Sequence, residues 1–171
     1  MALLDRIFGG GKARAALEPL YRASVAEARD PFWYRDGGVP DTIDGRFDMV
    51  SSVLALVLLR LERGGEATRD ESVLLTEQFI DDMEGTIRQI GIGDPVVGKH
   101  VGKMMGALGG RLEAFRETAG DPLAFAAAVR RNIFREEPPS EQAVAMVADR
   151  LARLRARLES AETAAILRGA L

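Results

Sequence analysis

Apolar residues recur along this chain at intervals of three and four, and no segment shows the strict alternation of a half-buried strand. Leu3, Leu4, Ile7 and Phe8 form one short amphipathic turn, cut off by Gly9-Gly10-Gly11. Leu17, Leu20, Tyr21 and Val25 share one face of a first main helix over 12–29. Residues 30–44, "DPFWYRDGGVPDTID", predict a long loop, because two prolines, a Gly-Gly pair and four aspartates break the period. Residues 45–63 form the most apolar segment and predict a central helix. Thr68 and Glu71 stand at capping-box spacing before a helix over 70–90. "GIGDP" then stops that helix and starts the next, with Asp94 as N-cap and Pro95 as first helical residue. The new helix extends to about Thr118, and Gly120-Asp121-Pro122 repeats the stop-start device ahead of a helix to about 135. "EEPPSEQ" is a third break, with Ser140 as cap. In the final helix Val144, Val147, Leu151, Leu154 and Leu158 are spaced 3, 4, 3 and 4, the a/d pattern of a helix-pairing seam. The expectation is an all-α fold: a flexible N-terminal arm over 1–11, then a single compact domain of six or seven helices over 12–171, with no sheet.

Composition narrows the functional classes. A length of 171 residues suits one domain with a real core. The net charge is −3 with 29% charged residues of both signs, so no basic excess marks nucleic acid as the main partner, and no direct DNA binding is expected. The absence of cysteine excludes disulfides, thiolate metal sites and cysteine nucleophiles. No apolar run approaches the ~20 residues needed to span a bilayer. The start of the chain has neither the apolar core of a secretory signal nor the Arg- and Ser-rich character of a presequence, which points to the cytoplasm.

Candidate chemistry is sparse. His100 is the sole histidine, and no serine stands in a nucleophile-elbow setting to use it. "GIGDPVVGK" has the glycines and lysine of a phosphate loop, but His100 stands where a Ser or Thr is needed and no strand precedes it. Carboxylates gather at Asp41, Asp44 and Asp48 and at Asp81, Asp82 and Glu84. Asp41 and Asp44 are placed to cap the helix at Gly45, with Arg46 as ion-pair partner. A metal-dependent hydrolase built on Asp41, Asp48 and Asp82 is the enzymatic alternative. A structural module that dimerises through the 144–158 seam is another. Arg150, Arg153, Arg155 and Arg157 form either a solvated face or a nucleic-acid contact, and Phe32-Trp33-Tyr34 form either a clasp on the core or an exposed contact patch. None of these amounts to an active site, and no enzyme, cofactor or metal is expected.

One pattern remains. Gly98, Gly102, Gly106 and Gly110 recur at every fourth position of a predicted helix, although each glycine costs such a helix about 1 kcal/mol. Small residues at this spacing let two helix backbones approach closely, as in membrane-embedded helix pairs. The stripe is either packed against a neighbour such as 45–63 or a track for a client helix. Around it, "GVPDTIDGRFDMV" (38–50), "DDMEGTIRQIGIGDPVVGKHVGKM" (81–104) and "GGR" (109–111) occur in that order. In these motifs the chain resembles the ubiquinol–cytochrome c chaperone family, assembly factors of the respiratory bc1 complex. The resemblance implies a helical, non-enzymatic chaperone that binds newly made cytochrome b, a membrane-protein client, and supports its assembly into ubiquinol–cytochrome c reductase. In mitochondria such proteins act with a small partner subunit near the ribosome's exit tunnel, and peripheral contact with the inner membrane fits the client. The recognition surface that the resemblance carries over comprises Val39, Pro40, Asp41, Thr42, Gly45, Arg46 and Phe47 from the first motif. From the second it comprises Asp82, Met83, Arg88, Gly91, Gly93, Asp94, Gly98 and Lys99, with Gly102, Gly106 and Gly110 completing the stripe.

Overall fold

The structure, a computed structural model, describes the backbone of residues 2–89, 94–135 and 139–171, and the side chains of 11–89, 96–135 and 139–171. Six long helices and two single-turn ones make up the described chain: α1 (Ala2–Ala28), α2 (Pro31–Arg35), α3 (Ile43–Glu62), α4 (Arg69–Gln89), α5 (Asp94–Glu117), α6 (Pro122–Ile133), α7 (Glu141–Ser160) and α8 (Thr163–Leu167). A 3-10 turn, Gly65–Thr68, links α3 to α4, and no strand occurs among the described residues. The expected all-α single domain is the architecture found. No helix among those residues is long and apolar enough to cross a membrane.

α3 is the hub because it is apolar on nearly every side. From Asp48 through Leu58 all its residues are buried, and α1, α4, α5, α6 and α7 all pack around it. A helix hydrophobic all round is stable in water only when neighbours enclose it, so this one segment dictates the layout. The neighbours present one apolar stripe each: Leu75, Phe79 and Met83 from α4, Leu108 and Phe115 from α5, Phe125 and Val129 from α6.

The stop-start breaks behave as their residues dictate. Gly120 takes a left-handed φ of 88°, which ends the preceding helix at no side-chain cost. Asp121 then accepts from the amides of Leu123 and Ala124, both at 3.0 Å, and opens α6. Ser140 opens α7 by accepting from the Ala143 amide at 3.0 Å.

Four expectations need correction. α1 runs without a break through Gly9-Gly10-Gly11 instead of starting at Lys12, because glycine is a weak helix former and not a stop. The 30–44 segment contains α2, nucleated where the Asp30 carboxylate accepts from the Phe32 amide at 2.8 Å with Pro31 in the first turn. Thr68 builds no capping box; its hydroxyl donates back to the Leu61 carbonyl and closes the α3–α4 turn. The 144–158 seam is spent inside the molecule: Val144, Val147, Leu151, Leu154 and Leu158 are all buried in the chain's own core. That removes the surface through which the dimerisation module would have paired.

Candidate docking surface

Two of the open questions are settled by where the side chains lie. Trp33 is fully buried and its Nε1 donates to the Glu27 carbonyl at 2.6 Å, while the Tyr34 hydroxyl donates to Ala28 at 2.8 Å. The Arg150 guanidinium sits over both the Phe32 and Trp33 rings, at 4.6 and 4.5 Å. The aromatic triplet is therefore a clasp between α1 and α7. The arginines of α7 are likewise engaged within the chain: Arg150 with Glu27 and Asp30, Arg153 with Asp149, Arg157 with Glu27, and Arg155 with the Phe115 carbonyl and the Phe125 ring.

The first motif divides into a structural part and an exposed part. Val39 is buried and its amide donates to the Trp33 carbonyl at 2.9 Å. Thr42, and not Asp41 or Asp44, is the N-cap of α3, accepting from the Gly45 amide at 3.1 Å. A side chain at Gly45 is excluded because its Cβ would lie 1.9 Å from the Pro40 carbonyl oxygen. Phe47 is half-buried, 6.1 Å from the Phe79 ring. Pro40, Asp41 and Arg46 remain outside, and Arg46 Nε donates to Asp41 at 2.7 Å, which holds the Asp41 carboxyl below the usual carboxylate range.

Beneath this loop lies a cluster that sequence reasoning missed. Asp48 and Arg111 form an ion pair with side chains only 3% and 4% exposed. Arg111 also donates to the Asn132 carbonyl at 2.6 Å and lies 5.5 Å from the centre of the Phe47 ring. Arg135 completes the cluster from the end of α6, its Nε donating to Asp48 at 3.0 Å and its Nη1 to Asp44 at 3.1 Å. Burial pushes the Asp48 carboxyl up against the pull of both arginines, and pushes the Arg111 guanidinium down. Arg135 holds a left-handed φ of 51°, an uncommon conformation for a side-chain-bearing residue, so the chain accepts local strain to make this contact. The available signal was a charge on the apolar stripe of each helix: Asp48 one residue before Met49, and Arg111 between Leu108 and Phe115.

The second motif spans the end of α4 and the first half of α5. Met83 is in the core, Asp82 accepts from the Tyr21 hydroxyl at 2.7 Å, and Arg88 donates to Glu84 at 2.8 Å. Burial, and then the bond to Asp82, push the Tyr21 phenol far up. Gly91 and Gly93 lie outside the described residues, and Asp94 opens α5 as its first residue, its side chain also outside them. Asp41, Asp48 and Asp82 thus each serve a different partner. No group of three His, Cys, Asp or Glu among the described residues could hold a metal ion, so the hydrolase alternative has no assembled centre.

α5 carries the stripe on its outer face. Val97, Leu108, Arg111 and Phe115 are buried, whereas Gly98, Lys99, Gly102, Gly106 and Gly110 are exposed. A Cβ added at any of the four stripe glycines would meet no described residue within 4 Å, and the same holds at Gly109. Among the described residues nothing packs against the stripe, so they give no support to the internal-packing account. Beside it, Leu58, Val73, Thr76 and Leu112 line an apolar hollow of about 300 Å³ between α3, α4 and α5.

This helical bundle is shared with known proteins. The model of the ubiquinol–cytochrome c chaperone family matches residues 35–171, through the whole of α3 to α8. The chain belongs to that family. It is also similar to the crystal structure of the Cbp3 homolog from Brucella abortus, with 28% sequence identity and a TM-score of 0.82, over 99% of this chain and 94% of that one. No curated protein matches it. The family's match extends well past the three motifs, covering Arg135, which completes the Asp48 cluster, and α7, which carries the Arg150 of the aromatic clasp.

Proposed function

We propose that this family member is a non-enzymatic assembly chaperone whose client is newly made cytochrome b, held on the way to the bc1 complex, and that α5 is its client track. The exposed glycine face carries the reading. Five glycines at which an added Cβ would meet no described residue weaken the helix that bears them, and packing among the described residues does not offset the loss. A client helix laid along them would do so, because backbones can approach closely over glycine and gain dispersion contacts. Lys99 and Lys103 flank the face and suit carboxylates or headgroup phosphates beside an apolar client segment. Pro40, Asp41 and Arg46 offer a second, polar contact at the other end of the motif set. Such a chaperone works peripherally at the inner membrane.

The test is a tagged pull-down from respiring cells, probed for cytochrome b, comparing wild type with the Gly102→Leu/Gly106→Leu variant. Since both positions open onto solvent, the variant is expected to keep its circular dichroism and melting temperature while losing cytochrome b. A folded variant that retains cytochrome b removes the stripe from the mechanism. A wild-type protein that brings down none removes the client itself.

A further inference from the structure

A second surface stands apart from the α5 track and shares Asp41 and Arg46 with the polar contact of the motif loop. Arg29, Arg35 and Arg46 line an open basin of about 500 Å³ with Pro31, Tyr34 and one carboxylate, Asp41. On a chain of net charge −3, this is a local concentration of positive charge. Its carboxylates do not cancel it evenly. Asp41 is paired with Arg46 and the neighbouring Asp36 with Arg35, which also feels Asp30, itself paired with Arg150; Arg29 makes no ion pair among the described residues. Asp44, next along the rim, is turned to Arg135. Beside the basin stands Ile43, 56% exposed, in the same first turn of α3 as Arg46 and three residues before it, hence on the same side. Pro31 and Pro40 are exposed on the same rim.

Arginines alone would suit any anion, including an acidic peptide. The apolar prong decides the class. An exposed isoleucine among rigid prolines gains nothing from a soluble anion, whereas at a bilayer it enters the acyl boundary while guanidinium groups meet headgroup phosphates. We propose that the α1–α2–α3 corner is an anionic-membrane docking surface: Arg29, Arg35 and Arg46 engage lipid phosphates and Ile43 inserts between headgroups. This deepens the chaperone reading, on which it rests for its purpose, by orienting the molecule on the client's bilayer.

The test is flotation of the purified full chain with phosphatidylcholine vesicles, with and without phosphatidylglycerol. The chain is expected to float only with the anionic vesicles and to be released at high salt. The Arg29→Gln/Arg35→Gln variant should partition roughly thirtyfold more weakly, as the loss of two juxtamembrane charges implies. Ile43→Ser should also partition more weakly while keeping the salt dependence; these side chains are exposed, and circular dichroism checks that both variants fold. Failure to float, equal binding to neutral vesicles, or unchanged binding by both variants overturns the proposal. So does release by excess inorganic phosphate with Ile43→Ser unaffected, which would mark a site for a free anion, or binding of polyglutamate without vesicles. No client is present in the assay. Flotation without cytochrome b capture therefore keeps this surface and sinks the client reading, and capture without flotation does the reverse.

Discussion

At the scale of single residues, the Asp48–Arg111 pair is a buried ion pair that ties three helices together. It joins α3 to α5 and, through Asn132 and Arg135, both to the end of α6. A buried pair is weak evidence of net stabilisation, but breaking one strands a charge. Arg111→Met should therefore lower unfolding free energy by about 3–5 kcal/mol in chemical denaturation, with Asp48 left to Arg135 alone. The Asp48→Ala/Arg111→Met double variant should lose less than the sum of the two single variants, because the stranded charge is gone. Additive losses would show that the two side chains do not act as a unit. In the sequence each residue was visible as a charge on an apolar stripe. Their meeting was not, since 63 residues separate them, and Asp48 alone reads equally well as a metal ligand.

At the scale of elements, two glycines in neighbouring helices make opposite predictions. The Cβ of an alanine at Gly102 would meet open solvent, so Gly102→Ala should raise stability by up to about 1 kcal/mol through better helix propensity and a less free unfolded chain. Gly45→Ala should destabilise by about 3 kcal/mol, because its Cβ would press on the Pro40 carbonyl and displace the cap of α3. Thermal melts of the two variants check both signs. A destabilised Gly102→Ala would mean that the outer face of α5 is not free. Spacing alone exposed the stripe, because a four-residue period places glycines on one helix face wherever the helix sits. It could not say whether that face looks inward or outward, which depends on the position of α5's apolar residues against α3 and α4. The capping of α3 was legible in kind but not in residue: Asp41, Thr42 and Asp44 are all good caps, and the path of the chain around Pro40 selects Thr42.

At the scale of the whole molecule, α3 organises everything else, and α7 closes the bundle over it. Leu151→Ala should cost about 2–5 kcal/mol, as a cavity in an enclosed core does. Its sedimentation coefficient should match that of wild type, since the seam meets α3 and α6 rather than a second copy. A change in association state would restore the dimerisation reading. The 3-and-4 spacing of that seam could not distinguish the two outcomes, because a helix pairs by the same geometry with a partner in its own chain or in another. The sequence by itself determined the helical class, the breaks at Gly120-Asp121 and Ser140, and the family resemblance, all of which depend on local periodicity, cap chemistry and short motifs. Tertiary structure alone decided that the α7 seam is internal, that the aromatic triplet is a clasp, that Asp41, Asp48 and Asp82 serve different partners, and that no described residue packs against the glycine face. Each of those depends on which helix faces come together in space, and that follows from enclosing α3 on all sides rather than from any one segment.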